Sequence, residues 1–431
     1  MLRFLTAGES HGQALVVIVE GLPAGLAVTE EDLTEQLGRR RLGFGRGPRM
    51  RFEQDRVTIL AGVRHGRTLG SPVSVQIANS EWERGKWNEE MSPAPGATVA
   101  PLTKVRPGHA DLAGMQKYGF DDARDVLERA SARETAARVV AGTLARRLLE
   151  DLGVAILSHV TRIGTVAVGD GSRPVPGDLE AIDASAVRCL DTGVAAAMEE
   201  EIREAARQGD SLGGVAEVLV WGLPVGLGSH VHWDRKLDGL LAQAVMSIHA
   251  VKAVEIGDGF SLAARRGSDA HDAIVFDDDA ATYTRTSDRA GGLEGGITTG
   301  EMLSVSAAMK PLATLNRPVL ATVDTATNEP SLSFRERTDV TAVPAMGVVA
   351  ESMVALTLAT EVLRKFGGDS MVELRRNLTG FTDQVRAQTL ATAESVQAPE
   401  LNWDESLAFA DPRPTGEGGA PSDPDGPSDG T

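Results

Sequence analysis

The order of apolar and polar residues marks out much of the chain before any single residue is weighed. Ala14–Glu20 (ALVVIVE) is a short β-branched run with turn residues on both sides, which predicts a strand. Val215–Trp221 has the same character and predicts another. Thr29–Arg41 opens on a capping threonine, carries acids in its first turn and arginines in its last, and predicts a helix. Asp125–Asp151, rich in Ala, Leu, Arg and Glu, predicts one long helix, and Asp234–Ile248 a further one. Val343–Phe366 is mostly apolar all round, the pattern of a helix buried on most sides. Ser80–Val105 is polar and dotted with tryptophan, and predicts a long irregular loop of the kind that often carries function.

Laid over this pattern is a repeat. Gly8–Leu26 reads GESHGQALVVIVEGLPAGL, and Gly209–Leu227 reads GDSLGGVAEVLVWGLPVGL. Ten of the nineteen positions are identical without a gap, 201 residues apart. Each copy runs turn, strand, turn, then helix, so the chain is expected to contain two similar halves packed together.

Composition narrows the class. The 431 residues are 42% hydrophobic and 24% charged, ordinary for a soluble globular protein. A single cysteine, Cys189, rules out an internal disulfide and a thiol cluster for metal; no metal site is expected. No uninterrupted run of about 18 apolar residues marks a membrane span, and the N-terminus turns glycine-rich too early for a signal peptide, so a cytoplasmic protein is expected. A net charge of −18 disfavours nucleic acid and anionic membranes as partners. Against that balance, Arg39, Arg40, Arg41, Arg46, Arg49 and Arg51 crowd into thirteen residues, which suggests a small, highly charged anionic ligand. Residues 1–405 are read as one catalytic domain and 406–431 as an acidic Pro/Gly/Ser-rich tail; from Asp411 onward almost nothing apolar remains to offset the entropy of ordering, and disorder is expected there.

GESHG fits G-x-S-x-G, the nucleophile elbow of serine hydrolases, and would nominate Ser10. That elbow needs a helix after the serine, whereas here a strand follows, and the second copy, GDSLG, repeats the pattern for architectural reasons. The difference between the copies is more informative. His11 becomes Leu212, so the turn itself does not need histidine, and His11 beside Glu9 and Ser10 is placed for proton transfer near neutral pH.

Further segments carry chemistry together. GRGPRM (Gly45–Met50) is a glycine-bearing loop with two arginines, and RPGHAD (Arg106–Asp111) sets Arg106 and His109 around a turn. RASARET (Arg129–Thr135) is read as placing Arg129 and Arg133 one turn apart on a single helix face. GGLEGGITTG (Gly291–Gly300) lets backbone N–H groups approach an anion or ring. Lys310 and Pro311 follow a strand-like run, and RTDV (Arg337–Val340) is read as pairing Arg337 with Asp339. Many arginines, two histidines and one aspartate suit a substrate with several anionic groups, since guanidinium binds carboxylate and phosphate in bidentate fashion.

GESHG, RRRLGFGRGPRM, RPGHADLAGMQKYGF, ERASARETAARVVAG, SIHAVKAVEIGDGF, GGLEGGITTGE, AAMKP and RTDVTAVPA resemble, in order, the signature blocks of the chorismate synthase family, of the bacterial monofunctional type. The resemblance spans residues 1–380. It implies a lyase of the shikimate pathway of aromatic amino-acid biosynthesis. Phosphate would leave C3 and hydrogen C6 of 5-enolpyruvylshikimate 3-phosphate in an anti-1,4 elimination that needs reduced FMN without net oxidation. It implies an α+β fold: a β-α-β sandwich with helices packed between two sheets, assembled as a homotetramer.

The same resemblance implies roles. His109 would act as acid toward the leaving phosphate, His11 would hold the flavin ring's protonation state, and Asp339 would help a flavin nitrogen take the substrate proton. Arg40, Arg46, Arg49, Arg106, Arg133 and Arg337 would bind substrate anions; Arg40 and Arg46 are also assigned to NADP in the family. Arg129, Ala130, Ser131, His249, Ala250, Gly295, Lys310, Pro311, Leu312, Ala313, Thr314 and Arg337 match the FMN-contacting blocks. Two positions depart from the pattern: His249 stands where relatives often carry Asn or Gln, and KPLAT (Lys310–Thr314) lacks hydroxyls of the usual KPTSS. No dinucleotide-binding G-x-G-x-x-G unit is found, so NADPH is expected only as an indirect reductant, with reduced flavin supplied by an external reductase.

Overall fold

The computed structural model describes residues 2–46, 55–85, 87–96, 99–169, 173–334 and 338–395. Arg49, Arg51, Arg337 and the tail read from 406 onward therefore lie outside the described residues.

The strands are β1 (Arg3–Ala7), β2 (Ala14–Glu20), β3 (Val57–Ala61), β4 (Val73–Ala78), β5 (Ala155–Ile163), β6 (Gly214–Trp221), β7 (Val251–Ile256) and β8 (Leu303–Met309). The main helices are α1 (Glu30–Arg41), α2 (Asp111–Tyr118), α3 (Thr135–Asp151), α4 (Thr192–Gln208), α5 (Leu237–Met246), α6 (Val343–Phe366) and α7 (Met371–Ser395). One antiparallel sheet has the order β1-β2-β4-β3, and the other β5-β6-β8-β7 with a two-residue edge strand, Val166–Ala167, beyond β5. The two orders are the same topology.

The duplication extends well past the nineteen residues that first disclose it. Val17 pairs with Val75 in the first sheet, and Val218 pairs with Val305 in the second. The partners stand 201 and 230 residues apart in sequence, one offset for each strand. A short hairpin precedes the third strand of each sheet order: Val63–Arg64 with Arg67–Thr68, and Leu293–Glu294 with Ile297–Thr298. Thr68 Oγ donates to Pro23 O at 2.6 Å and accepts from Leu26 N at 3.0 Å. Thr298 Oγ does the same to Pro224 O and from Leu227 N, at 2.7 and 2.9 Å. Each turn thus uses a buried threonine to satisfy both a carbonyl and an amide that would otherwise be orphaned.

Helix α3 packs on β2 of the first sheet, α6 on β5 and β6 of the second, and α3 packs directly on α6, with α1 touching both. The apolar faces of all these elements join one core, including Leu15, Val17, Val75 and Ile77 from one sheet and Val218, Val220 and Val305 from the other. The α3–α6 approach is close enough that a Cβ at Gly142 would stand 2.3 Å from that of Ser352. Helix α6 is long and apolar enough to cross a bilayer, but 83% of that stretch is buried within the protein. Its burial on nearly every side is what the all-round apolar pattern predicts.

At the centre of these layers α6 carries Glu351, which is 2% exposed. It accepts from Arg39 at 2.6 and 2.9 Å, from Arg146 at 2.7 Å, from Arg188 at 3.2 Å, and from the backbone and side chain of Ser158 at 2.8 and 2.7 Å. Burial alone would raise the pKa of this carboxyl; the charges of Arg39 and Arg146 overcome that and hold it at about 2.

Several elements differ from the sequence expectation. Helix α1 is as read, with Thr29 and Asp32 closing a capping box. The single helix expected over Asp125–Asp151 is instead a short turn, Arg124–Leu127, then α3. Ser131 interrupts it in extended conformation (φ −70°, ψ 144°), its hydroxyl accepting from Arg133 N. Arg129 and Arg133 consequently do not share a helix face. The helix read as Asp234–Ile248 begins later and ends earlier, as α5, after a 3₁₀ turn at Trp233–Arg235. The Ser80–Val105 segment is largely irregular but opens with a helical turn, Ser80–Glu83.

Candidate active site

The chemistry-bearing segments all lie at ends of these elements. The Gly8–Gly12 turn joins β1 to β2, Arg106–Ala110 leads into α2, and Arg129–Glu134 leads into α3. His249 and Ala250 join α5 to β7, Lys310–Thr314 follows β8, and Asp339 precedes α6. Contacts between these segments bring most of them together.

His109 is held by Asp111, which is fully buried: Nδ1 lies 2.5 Å from Oδ1. Arg106 clamps the same carboxylate through Nε at 2.8 Å and Nη2 at 3.1 Å, and its backbone N–H adds a third bond at 3.1 Å. Burial would raise the Asp111 pKa, but the bonds from His109 and Arg106 hold it well below the usual carboxylate range. Arg106 also donates to Thr314 Oγ at 3.2 Å, and Lys310 Nζ donates to Gly108 O. Lys310 N donates to Ala250 O at 3.0 Å, which carries the cluster across to His249.

His249 faces an open cleft of about 400 Å³ lined by Thr6, Arg129, Glu134, Arg138 and Ser247. Its Nδ1 is buried without a hydrogen-bond partner, 4.0 Å from Glu134. Burial lowers its pKa, and the charges of Arg138, His109 and Arg129 act in the same direction against the pull of Glu134. Arg129 reaches the other way, donating to Gly8 O at 2.9 Å and Thr6 O at 2.8 Å, with its guanidinium edge left exposed. Ser131 Oγ donates to Ser10 Oγ at 3.2 Å, beside His11. Ala130 sits between them, its N–H bonded to Val126 O.

His11 is held in the same manner as His109. Its Nδ1 lies 2.8 Å from Glu128 Oε1, and its backbone N–H donates to Oε2 at 2.9 Å. The Trp87 ring lies 4.2 Å from the imidazole. The Glu128 carboxyl, only 2% exposed, would be raised by burial but is lowered by these bonds from His11.

Asp339 pairs with Arg46 at 3.3 Å; its expected partner Arg337 lies outside the described residues. The backbone explains the pairing, because Val340 N bonds Gly45 O at 2.8 Å and so lays the two segments side by side. Leu212 N bonds Val340 O, and Ser211 Oγ bonds Leu312 O at 2.8 Å, which ties this corner to the Lys310–Thr314 loop. Pro311 and Ala313 lie within that loop.

Three expected ligands differ from the rest: two are buried on protein partners, Arg133 reaching the His11 turn through Asn79, whose Nδ2 donates to Gly12 O at 2.7 Å, and one lies elsewhere. Arg133 and Arg40 are buried and turned toward Asp55, Arg133 also donating to Asn79 Oδ1 at 3.0 Å and Arg40 to Thr135 Oγ at 3.0 Å. Gly295 lies in the second hairpin, whose Gly296 O accepts from Leu237 N, at the opposite end of α5 from His249. Its counterpart in the duplicated hairpin is His65; both are left-handed, with φ of 60° and 51°. The glycine there has an architectural cause as well.

The carboxylates Glu128 and Asp111 are the functional residues that sequence reasoning missed. Both sit inside blocks already singled out, ERASARET and RPGHAD, but the bond each makes is set only by the fold.

Two histidines with buried carboxylate partners, among arginines and a lysine at the loop ends of a duplicated α+β fold, define an enzyme acting on a polyanionic small molecule. A sequence model described as chorismate synthase matches residues 2–363. The chorismate synthase of Salinispora tropica is 58% identical over 392 residues, covering 89% of this chain and 99% of its own length. That of Micrococcus luteus is 58% identical over 406 residues, covering 92% and 98%. A solved structure titled "Crystal Structure of Chorismate Synthase" superposes with a TM-score of 0.73 at 38% identity, covering 90% of this chain and 98% of that one. The chain belongs to the chorismate synthase family, and its activity is the carbon–oxygen lyase reaction of that family.

Proposed function

We propose that the loop-end cluster binds 5-enolpyruvylshikimate 3-phosphate and reduced FMN together, and that His109 and His11 serve the two as proton-handling groups. The observation that carries this is the pair of carboxylate-held imidazoles. Each has Nδ1 held by a buried acid, which fixes the ring's orientation and tautomer. The donor set fits an anionic flavin: Arg129, Lys310 and Thr314 supply charge and hydroxyl for a phosphate, and His249, whose buried Nδ1 has no hydrogen-bond partner, lines the cleft. Reduced flavin, held there by Arg129, Lys310 and Thr314, would supply the substrate with an electron and take it back, so that phosphate would be lost without net oxidation. Arg106 and Lys310 stabilise charge on the departing phosphate. His109 donates a proton to it. Asp339, fixed by Arg46, assists proton removal from C6. Arg46 and Arg106, with Arg49 and Arg337, bind the substrate's carboxylates and phosphate, while Arg40 and Arg133 support the site from beneath. Ala130, Ser131, Ala250, Pro311, Leu312, Ala313 and Gly295 would complete the flavin's surroundings.

The assembled protein is read as a homotetramer of β-α-β sandwiches acting in the cytoplasm, with reduced FMN supplied by a separate reductase. Packing of α3 and α6 on each other and on opposite sheets supports the sandwich. The decisive assay is anaerobic: purified protein, the shikimate phosphate and dithionite-reduced FMN, followed by chorismate absorbance. Chorismate formation with stoichiometric phosphate release is expected; absence of both refutes the assignment of this site.

A further inference from the structure

We propose that Glu128 is a positioning residue for His11, fixing the imidazole with its proton on Nδ1 and Nε2 as the nitrogen that exchanges protons in the site. The inference rests on the reading of His11 as a site residue and adds to it the group that sets its state.

Glu128 grips His11 twice. One carboxylate oxygen lies 2.8 Å from Nδ1, and the other accepts the backbone N–H at 2.9 Å while standing 3.1 Å from the ring nitrogen. Its own carbonyl accepts Ser10 N at 3.0 Å, so the residue closes the whole turn. The second copy of the repeat provides an internal control. There the residue equivalent to His11 is Leu212, and its N–H bonds a backbone carbonyl, Val340 O, at 2.8 Å. The turn therefore closes at that N–H without a side-chain carboxylate, and the acid accompanies the histidine.

The surroundings keep the ring in one orientation. Trp87 lies over it, and Arg124 lies 5.2 Å from the far face of Trp87 while standing 3.4 Å from Glu128. Glu81 stands 3.6 Å from Nε2 and accepts from Trp87 Nε1 at 3.2 Å. With a carboxylate on each nitrogen, the closer and better-buried one decides which carries the proton. A carboxylate accepting from Nδ1–H fixes the ring's tautomer and orientation.

The test uses full-length protein, E128A and E128Q, each also combined with H11A. Ring ¹⁵N resonances from histidine-labelled protein, assigned by loss in H11A, report the tautomer without flavin or turnover. Wild type is expected to hold the proton on Nδ1, and E128A to shift the population toward Nε2–H. In the anaerobic assay kcat should fall about 10–100-fold in E128A, the scale of losing a group that orients a functional histidine, with KM within about 3-fold. In the H11A background the same change should cost nothing further, since the two residues act as one unit. E128Q keeps the shape and one acceptor, so it should fold even if E128A does not, and it should show an intermediate tautomer shift. An unchanged tautomer in both variants, or an equal loss of kcat with and without His11, overturns the proposal. If H11A alone turns over normally while the tautomer still moves in E128A, the reading of His11 fails and the positioning stands.

Discussion

His109 and His11 show how a residue's chemistry is set by what takes its second nitrogen. His109 is partly exposed, with 21% of its side chain reachable, while its partner Asp111 is sealed from water. Replacing His109 by Ala removes the acid and leaves the buried Arg106–Asp111 pair in place. Turnover should fall about 10²–10⁴-fold with the melting temperature little changed; unaltered kcat in the anaerobic assay would remove His109 from the chemistry. The histidines and Arg106 were legible in the sequence because such residues in glycine-bearing turns have few structural reasons to be there. Their carboxylate partners were not, since Glu128 lies 117 residues from His11 and only the packing of the α3 approach against the β1–β2 turn brings them together. Arg40 and Arg133 were legible as cations but not as buried ones; Asp55, on a different segment, decides that. The Arg46 partner of Asp339 was not legible, because a backbone bond between Val340 and Gly45, nearly 300 residues apart, delivers it.

The strands and the apolar helices follow from their periodicity, because burial on one face or all round leaves a direct trace in the residue order. Breaks do not leave one: the Ser131 interruption depends on one hydroxyl capping Arg133 N, and serine inside a helical composition gives little warning. The full duplication was legible only in part for a related reason. Its second segment, the hairpin of Thr68 and Thr298, retains four residues, Gly62, Gly66, Thr68 and Gly70, matched by Gly292, Gly296, Thr298 and Gly300, and their spacing from the first segment differs between the halves. The shared hydrogen bonds make a prediction at this scale. Thr298→Val leaves Pro224 O and Leu227 N without their partner and should cost about 2–6 kcal/mol, since each buried unsatisfied group costs about 1–3. Thr68→Val should cost the same to within about 1 kcal/mol. Chemical denaturation of the two variants checks it, and a loss at only one site would show that the halves carry stability unequally. The buried junction of α1, α3, β5 and α6 at Glu351 makes another. E351Q strands Arg39, Arg146 and Arg188, and should cost about 3–5 kcal/mol at neutral pH. The folded pKa, about 2, lies below the unfolded value of about 4.3. This carboxylate's stabilisation is therefore complete above about pH 4.3 and is lost as pH falls toward 2. The difference between wild type and E351Q should narrow over that window and be flat above it; a gap that does not depend on pH would mean that the charge on Glu351 is not what holds the junction.

Over the whole molecule, the architecture bears on where the electrons come from. Among the described residues every strand ladder is antiparallel, in both sheets and in the hairpins. A nicotinamide dinucleotide unit of the usual kind needs a parallel sheet with a glycine-rich turn running from strand into helix. Here the glycine-rich turns at Gly8–Gly12 and in the two hairpins run from strand to strand, and those that run from a strand toward a helix, Gly21–Gly25 and Gly222–Gly226, read GLPxG and not G-x-G-x-x-G. The two duplicated halves, each a four-stranded unit with its helices, lie within residues 3–366. Reduced flavin should therefore enter from solution already charged with its electrons, and the arginines of the cleft, Arg129 and Arg138, favour a ring and phosphate that carry negative charge. Purified protein given oxidised FMN and NADPH in air should not form chorismate. The same protein given pre-reduced FMN under anaerobic conditions should turn over fully, and the flavin spectrum should be that of the reduced form at the start and at the end, with none consumed per chorismate. Efficient aerobic turnover with NADPH alone would place a hydride-accepting site in this chain and would require that one of the antiparallel faces bind a dinucleotide in a way the topology does not suggest.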